Sequence, residues 1–295
     1  MTNPAGHSDA SGLSRRGFLA AAVGLAVSSA TGCAGIRGWR RKDEFAGRPR
    51  VFGPEPTVEE VVAHLNGNVD RLHSWRTSGA RIRANNIPLT ADLAVEKGQR
   101  MRLVVNSVVG TEVDLGSNDE VFWFWAKRNN PPHVFYANHE HLERARQQLQ
   151  IPFEPAWLLE ALSMERFDAE ALTLEKHSEP DKCRLVATSA GPTGAPMRKD
   201  VVVDLQRGLV LEHSVFNASG FRIARAGLSQ HGRDVKSGVV LPHKIQLEWP
   251  QAELSLQMIF DKLDINPPSI PQQVWAMPEM SGYRLVNLAE ADVRQ

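Results

Sequence analysis

The sequence predicts a mainly β protein of the α+β class, in which one helix precedes a long series of short antiparallel strands. Apolar and polar residues alternate over short runs, as in residues 78–84, 89–98 and 99–108, and Gly, Asn, Asp and Pro separate the runs. Such period-two alternation with regular turn signals is typical of an antiparallel meander. With a hydrophobic content of 42%, the roughly 240 residues beyond the N-terminal segment are enough for one β-rich domain with a substantial core.

The folded part opens with an amphipathic helix in residues 57–72. Thr57 and Glu60 have the spacing of a capping box, in which each side chain bonds an otherwise free backbone N–H at the helix start. Apolar residues then recur at helical spacing, namely Val58, Val61, Val62, Leu65, Val69 and Leu72. We therefore expect a helix that buries one face and that Gly67 weakens or divides.

Two groups of strands follow, with a helical segment between them. The helical segment consists of candidate helices at 139–149 and 154–164, the second begun by Pro155. Strand-like runs before it occupy 111–128 and 131–138, and those after it occupy 171–177, 183–189, 199–208, 209–220, 221–232, 241–250 and 252–266. The pattern predicts ten or more strands and about three helices.

The N-terminus carries an export pattern. Ser14 to Leu19 resembles the twin-arginine signal, with Arg15 and Arg16 as the arginine pair, although Ala20 stands where Lys is often found. The weakly apolar stretch that follows, 18–30, is shorter than the roughly 20 residues that span a bilayer. A cleavable signal peptide over residues 1–32 therefore fits better than a transmembrane helix.

Small residues lead from this stretch into Cys33, as in a bacterial lipobox, although Ala30 stands where Leu is usual. The resemblance implies cleavage before Cys33 and acylation of that residue with chains such as palmitate, two or three of which anchor a protein stably. An ordinary signal peptide with an incidental cysteine is the alternative. Residues 33–56 then form a flexible tether to the cell envelope, facing the periplasm. Ala34 in place of Asp favours the outer membrane over the inner one.

Composition excludes some classes of function. The 34 basic and 34 acidic side chains balance, whereas proteins that bind nucleic acid normally carry a basic excess. Only two cysteines are present, so if Cys33 is acylated, Cys183 has no partner for a disulfide or a cysteine-based zinc site. Cys183 lies in a predicted strand, which favours a small buried side chain.

The search for catalytic chemistry finds no signature. His139, Glu140 and His141, with His133 nearby, are the densest cluster of metal-ligand residue types, but on a helix the two outer residues point to different faces. No nucleophile elbow, Gly-rich phosphate loop or metalloprotease motif occurs. The sequence therefore predicts no catalytic residue, no metal and no cofactor, and we do not expect an enzyme.

Four consecutive aromatic residues, Phe122 to Trp125, are the more informative feature. In a strand, Phe122 and Phe124 point to one face while Trp123 and Trp125 point to the other. Both faces of this strand are then apolar, which fits either a covered central strand or one pair lining a cavity for an acyl chain. Apolar residues of the second helix, Trp157, Leu158 and Leu162 among them, would form the lid.

The order of elements resembles the LolA/LolB-like carriers, which include LppX-type lipoproteins. The resemblance extends over most of residues 57–278. It rests on the leading helix, the aromatic strand of 115–125, the hairpin of 201–228, the closing strands of 241–250 and 254–268, and Pro278 near the end. It implies a strongly curved antiparallel sheet that forms an unclosed half-barrel, with helices covering the concave face. The domain would span 57–280, with 281–295 as a C-terminal tail, and no family ligand residue can be matched position by position.

The sequence therefore predicts a membrane-anchored envelope lipoprotein that binds a lipid or acyl chain, possibly that of another lipoprotein, in an apolar half-barrel. The candidate cavity residues are Phe122, Trp123, Phe124, Trp125, Trp157, Leu158 and Leu162. The alternative is an interaction or sensor module of the same fold that binds an envelope protein and no lipid. Fold likeness alone does not decide between them.

Overall fold

The computed structural model describes residues 44–128, 133–141, 155–190 and 194–290, without the side chains of residues 155 and 156. The predicted signal peptide with Arg15 and Arg16, Cys33 and most of the candidate helix at 139–149 lie outside these ranges. No helix within them is long and apolar enough to cross a membrane.

Two α-helices are described, α1 at Val58–Val69 and α2 at Pro155–Ala161. The predicted capping box of α1 is present, because Thr57 accepts a hydrogen bond from the Glu60 backbone and the Glu60 side chain accepts one from the Thr57 backbone. Gly67 does not divide the helix, which is held by packing on both sides of it. Short 3₁₀ turns lie at His139–His141, Ala169–Ala171, Pro250–Ala252 and Gln272–Trp275.

The described residues contain fifteen strands, which make up about half of the chain. The first group is β1 (Ser74–Ala84), β2 (Ile87–Glu96), β3 (Arg100–Ser107), β4 (Gly110–Ser117), β5 (Val121–Ala126) and β6 (His133–Asn138). The second group is β7 (Thr173–Lys176), β8 (Lys182–Ala190), β9 (Pro196–Asp204), β10 (Leu209–Phe216), β11 (Arg222–Arg233), β12 (Val240–Trp249), β13 (Leu254–Ile259), β14 (Asp264–Ile265) and β15 (Arg284–Asn287).

All the strands belong to one sheet, in the order β15-β6-β5-β4-β3-β2-β1-β13-β12-β11-β10-β9-β8-β7, with β14 beside β1. Every pair is antiparallel except β15 with β6. The two meanders meet where β1 pairs with β13, from Arg81 opposite Ile259 to Ala84 opposite Leu256. The edge strands β7 and β15 do not pair with each other, so the sheet is an unclosed half-barrel with helices against one face. The predicted fold class is confirmed.

The face that carries the helices is called the inner face below. Over the first meander it is filled by α2 and the turn after it, which pack against buried side chains of β1–β6. Trp75 on β1 donates a hydrogen bond from Nε1 to the carbonyl of Leu162 at 3.3 Å, and its ring meets Phe260 edge-on. Over the second meander, Val61, Val62 and Leu65 of α1 pack against β8 and β9. Each helix therefore covers one half of the same apolar surface.

The opposite, outer face differs between the two meanders. In the second meander it is polar and carries two groups of cross-strand ion pairs, one formed by Glu175, Arg184 and Asp200 and the other by Glu212, Arg225 and Glu248. In the first meander it is apolar around Trp123 and Trp125 of β5, where the C-terminal segment covers it, and it carries charged residues such as Arg81 and Arg100 on β1 and β3. That segment is held by Arg102, which donates to the carbonyls of Gln273 and Val274, and by Asn118, which donates to the carbonyl of Trp275.

The folded domain extends beyond the bounds of 57–280 on both sides. Phe45 and Phe52 in the expected tether are buried, and the Val51 and Phe52 backbones donate to carbonyls of the β9–β10 turn. At the other end, residues 284–287 form β15, and Leu288 is buried in the core. The period-two signal of β15 is only four residues long, which is why the sequence pattern placed it in a tail.

Gly116 on β4 is required by the ring of Trp123 on the neighbouring strand. The two residues are directly paired, and a Cβ at Gly116 would overlap the indole of Trp123, which is fully buried. The indole N–H also donates to Asp114 at 2.9 Å, and Asp114 pairs with Arg102 at 2.8 Å, so the ring cannot move aside without breaking this network.

We therefore predict that Gly116→Ala lowers the free energy of unfolding by about 3 kcal/mol or more, from overpacking and the strained indole contact. Chemical denaturation followed by tryptophan fluorescence measures it. Gly227→Ala, also within a strand, is the matched control, because its Cβ would meet only Arg225 at ordinary contact distance. Equal stability of the two variants would contradict the packing described for Trp123.

Candidate functional site

A cavity of about 560 Å³ lies on the inner face between α1, strands β10–β12 and the segment that follows α2. This volume is within the range of pockets that take small-molecule ligands. Its apolar lining includes Leu65, Val69, Leu209, Val210, Leu228 and Val240. Charged and imidazole side chains line the remainder, so the cavity is an apolar chamber with polar groups at particular places.

Helix α1 is held over this cavity by two side-chain amides. Asn66 donates from Nδ2 to the Phe167 carbonyl at 2.9 Å and accepts from the Phe167 N–H at 2.8 Å. Asn68 makes the same pair of bonds with Val240, at 2.9 Å and 2.8 Å. These four bonds provide partners for the backbone N–H and C=O groups of Phe167 and of Val240, the first residue of β12. They also set the distance of the helix from the sheet.

A third attachment joins α1 to the β9–β10 turn. The Nε2 atom of His64 lies 3.1 Å from the carbonyl oxygen of Gly208. Gly208 has φ of +66°, and a Cβ there would overlap the His64 ring, so both the backbone conformation and the close approach require glycine. Burial, then the positive charges of Arg71 and Arg233, lower the pKa of His64, while the Gly208 contact raises it.

Four arginines line the cavity, and two of them are paired with carboxylates. Arg48 contacts Glu44 at 3.3 Å, and Arg207 contacts Asp204 at 3.2 Å. Arg233 donates to the Gly238 carbonyl at 3.0 Å. Within the described residues, neither Arg71 nor Arg233 has a carboxylate at ion-pair distance.

The acidic lining residues lie on the side of the cavity next to α2. Glu160 is paired with Lys199 at 2.5 Å. Desolvation, with repulsion from Glu160, raises the pKa of Glu165. The cavity therefore has an acidic side near α2 and a basic side near the end of α1 and strand β11.

Two further imidazoles line the cavity and are held neutral. Burial lowers the pKa of His213 to about 4, the Lys199 charge adds to this, and the ring stacks on Phe167. Its Nδ1 atom has no hydrogen-bond partner among the described residues. Burial likewise lowers the pKa of His231 to about 4, against a hydrogen bond with the Val210 backbone that raises it.

The seven candidate cavity residues occupy both faces of the sheet. Phe122 and Phe124 point inward, where they belong to the same buried cluster as Trp157, Leu158 and Leu162 of the α2 segment. Trp157 also meets Trp249 edge-on at 6.0 Å. All five are buried, so this half of the inner face is filled by side chains. None of them lines the 560 Å³ cavity, although Glu160 and Ser163 of the same segment do.

Trp123 and Trp125 point to the outer face, as the alternation of the strand predicts. Trp125 lies edge-on to Tyr283 of the C-terminal segment at 5.3 Å. Contact of the seven residues with a ligand stays a prediction.

The other residues considered from the sequence have ordinary structural environments. Cys183 is a free thiol buried beneath α1, and burial raises its pKa to about 11. His139 contacts the Asn118 carbonyl at 2.7 Å. Within the described ranges, no group of three or more His, Cys, Asp or Glu side chains is arranged to hold a metal ion.

Sequence reasoning missed the cavity and its lining. His64, His213 and His231 are far apart in the chain, and only the register of β10 with β11 and the position of α1 bring them together. One signal was present, because a polar Asn-Gly-Asn run, 66–68, interrupts the apolar pattern of α1 between Leu65 and Val69.

The two neutral imidazoles predict a pH dependence of stability. Because the folded-state pKa of each is about 4 and the ordinary value is 6.5, the unfolded chain binds more protons between these values, and stability falls as the pH falls through this window. The His213→Phe variant keeps the stacking on Phe167 but has no imidazole to protonate. Between pH 7 and pH 5 we therefore expect its free energy of unfolding to fall by about 2 kcal/mol less than that of the wild type.

Urea denaturation at several pH values measures this difference. His73→Phe, at an exposed imidazole just before β1, is the control and should follow the wild type. A His213→Phe chain with the wild-type pH profile would contradict the assignment of His213 as a buried neutral base.

Comparison with known proteins relates the chain to others through its fold. No protein-family model matches the sequence, and no curated protein matches it. Among solved structures, a Vibrio parahaemolyticus domain described as a candidate outer membrane lipoprotein-sorting protein is similar, with a TM-score of 0.50 and 10% identity over 74% of this chain and 97% of that one.

Two further structures are also similar. One is a LolA superfamily protein from Nitrosomonas europaea, with a TM-score of 0.48 and 9% identity over 76% of this chain and 99% of that one. The other is a DUF1329 family protein from Desulfovibrio piger, with a TM-score of 0.48 and 9% identity over 74% of this chain and 95% of that one. The fold that the resemblance implied is thus confirmed: the chain forms an unclosed half-barrel, similar in fold to the Vibrio parahaemolyticus domain.

Proposed function

We propose that this protein is an envelope lipoprotein that binds a lipid or acyl chain in the cavity beneath α1. The observation that carries the proposal is the cavity itself, 560 Å³ in volume, apolar over much of its lining and bordered by charged groups. An amphiphile matches this arrangement, since each buried CH₂ contributes about 0.8 kcal/mol while a polar head can stay at the charged border. The fold likeness to a candidate lipoprotein-sorting domain agrees with the proposal.

The anchor is a separate part of the proposal. Cys33 would be acylated after export through the signal that contains Arg15 and Arg16, and the chain from 34 to the first described residue would serve as a tether. The described chain starts at Glu44, whose carboxylate accepts a hydrogen bond from the Arg233 backbone at 3.0 Å. The tether therefore joins the domain beside the basic side of the cavity, which would place that side towards the membrane.

The aromatic half of the inner face would serve as a reserve volume. Glu160 and Ser163 line the cavity while Trp157, Leu158 and Leu162 of the same segment pack on Phe122 and Phe124. An outward shift of this one segment would therefore extend the cavity over the aromatic half of the inner face. A longer acyl chain would then contact Phe122 and Phe124.

Acyl binding is tested with dansyl-undecanoic acid as the probe and the Cys33→Ser chain, so that no anchor of the protein's own occupies the cavity. We expect saturable binding that Val210→Trp weakens at least tenfold, because the indole fills the chamber that Val210 lines. Val109→Trp is the matched control, since Val109 lies on an exposed turn between β3 and β4. Phe124→Ala should alter retention of longer acyl chains, whereas Trp125→Ala on the outer face should not.

The outcomes separate the alternatives. If Val210→Trp binds the probe as tightly as the parent chain does, the acyl-binding site is not the cavity beneath α1. No binding by the parent chain, together with a bare mass after extraction from the envelope, would overturn the lipid proposal and favour the protein-interaction module.

Anchoring is tested by fractionating cells that express the full chain. We expect the wild type in the membrane fraction, labelled by radioactive palmitate, and Cys33→Ser released from that fraction without label, because the acyl chains supply the membrane affinity. Cys183→Ser is the control, and its label should be unchanged. Membrane association of Cys33→Ser equal to that of the wild type would overturn the anchor while leaving the cavity proposal intact.

A further inference from the structure

The charges on the basic side of the cavity bear on the kind of ligand it takes. The exposed residues Arg71, just beyond the end of α1, and Arg233, at the end of β11, line the cavity and both act electrostatically on His64. They therefore lie near the same imidazole, on the basic side of the cavity.

These two arginines differ from the other cations of the cavity. Arg48 and Arg207 have carboxylate partners at 3.3 Å and 3.2 Å, and Lys199 neutralises Glu160. Within the described residues, Arg71 makes no side-chain hydrogen bond, and Arg233 bonds only the Gly238 carbonyl through its side chain. Neither guanidinium group is thus paired with a carboxylate in the described residues, although the Glu44 carboxylate, which does not line the cavity, accepts from the Arg233 backbone at 3.0 Å.

The opposing charge lies on the other side. Glu165 is the acidic lining residue without an ion pair in the described chain, and its raised pKa results from desolvation and from Glu160. Its field therefore acts beside α2 rather than beside His64. An anion between Arg71 and Arg233 would meet two positive charges and the dipolar His64 ring, while an apolar chain attached to it would enter the chamber.

We propose that the cavity selects amphiphiles with an anionic head group, such as a phosphodiester or carboxylate, and that Arg71 and Arg233 hold that head group at the entrance. The inference rests on the proposed lipid-binding function and adds the chemical class of the ligand. Guanidinium groups suit it because they bind phosphate and carboxylate through paired N–H donors.

The test compares two lipids with one acyl chain, 1-palmitoyl-lysophosphatidylglycerol and 1-palmitoyl-lysophosphatidylcholine, each below its critical micelle concentration, by calorimetry on the Cys33→Ser chain. We expect about tenfold tighter binding of the anionic lipid at low salt, with the preference shrinking as salt rises. Adding Arg71→Gln and Arg233→Gln should abolish the preference, because the anionic lipid then loses more affinity than the zwitterionic one, whose own choline cation already offsets its phosphodiester.

Arg222→Gln, an exposed arginine at the opposite end of β11, is the matched control and should keep the preference. Glycerol phosphate, the head group without a chain, should bind at least a hundredfold more weakly than the anionic lysolipid. If glycerol phosphate binds as tightly as the lysolipid, the site takes free phosphates and the head-group inference is overturned. Equal affinity for both lipids, or a preference that survives the double substitution, overturns the head-group inference while lipid binding stands. Binding of neither lipid overturns the proposed function as well.

Discussion

The pairing of β1 with β13 is the constraint on which the rest of the architecture depends. It joins strands more than 170 residues apart, from Arg81 opposite Ile259 to Ala84 opposite Leu256, and makes one sheet from two meanders. Without it each meander would expose one further edge of unpaired backbone groups. The joined inner face is larger than one short helix can cover, so α1 covers the second meander and α2 the first, and the cavity lies where the two coverings meet.

Much of this fold could be predicted because its signals are local. The capping box at Thr57 and Glu60 and the alternation of Phe122 to Trp125 depend on neighbours a few residues away, and the structure has both. The half-barrel came from the order of the elements, not from any single pattern. The C-terminal strand β15 could not be found in this way, because its pairing with β6 is parallel and its own period is too short to be a signal.

The candidate site could not be predicted for a different physical reason. Its imidazoles and arginines come from the N-terminal segment, helix α1 and its end, the β9–β10 turn and strands β10 and β11, and each has an ordinary local sequence. His213 and His231 face one space only because of the register of β10 and β11, and His64 joins them because α1 crosses above. The register of strands far apart in the chain and the distance of α1 from the sheet both result from tertiary packing. No local pattern in a single sequence indicates them. The aromatic run was the stronger local signal and marks the filled half of the sheet.

The half of the inner face beneath α2 is filled and the half beneath α1 contains the cavity, because the two helices are attached to the sheet by different interactions. Side chains around α2 are large and apolar, and contacts such as Trp157 with Trp249 can tighten until the space is full, because dispersion and burial both favour contact. Helix α1 is instead attached through Asn66, Asn68 and His64, whose hydrogen bonds have a fixed length and lose energy when compressed. The apolar stripe of α1 packs on β8 and β9, while these polar attachments hold it away from β10–β12. A hollow persists there because the hydrogen bonds that support the helix cannot shorten without losing energy.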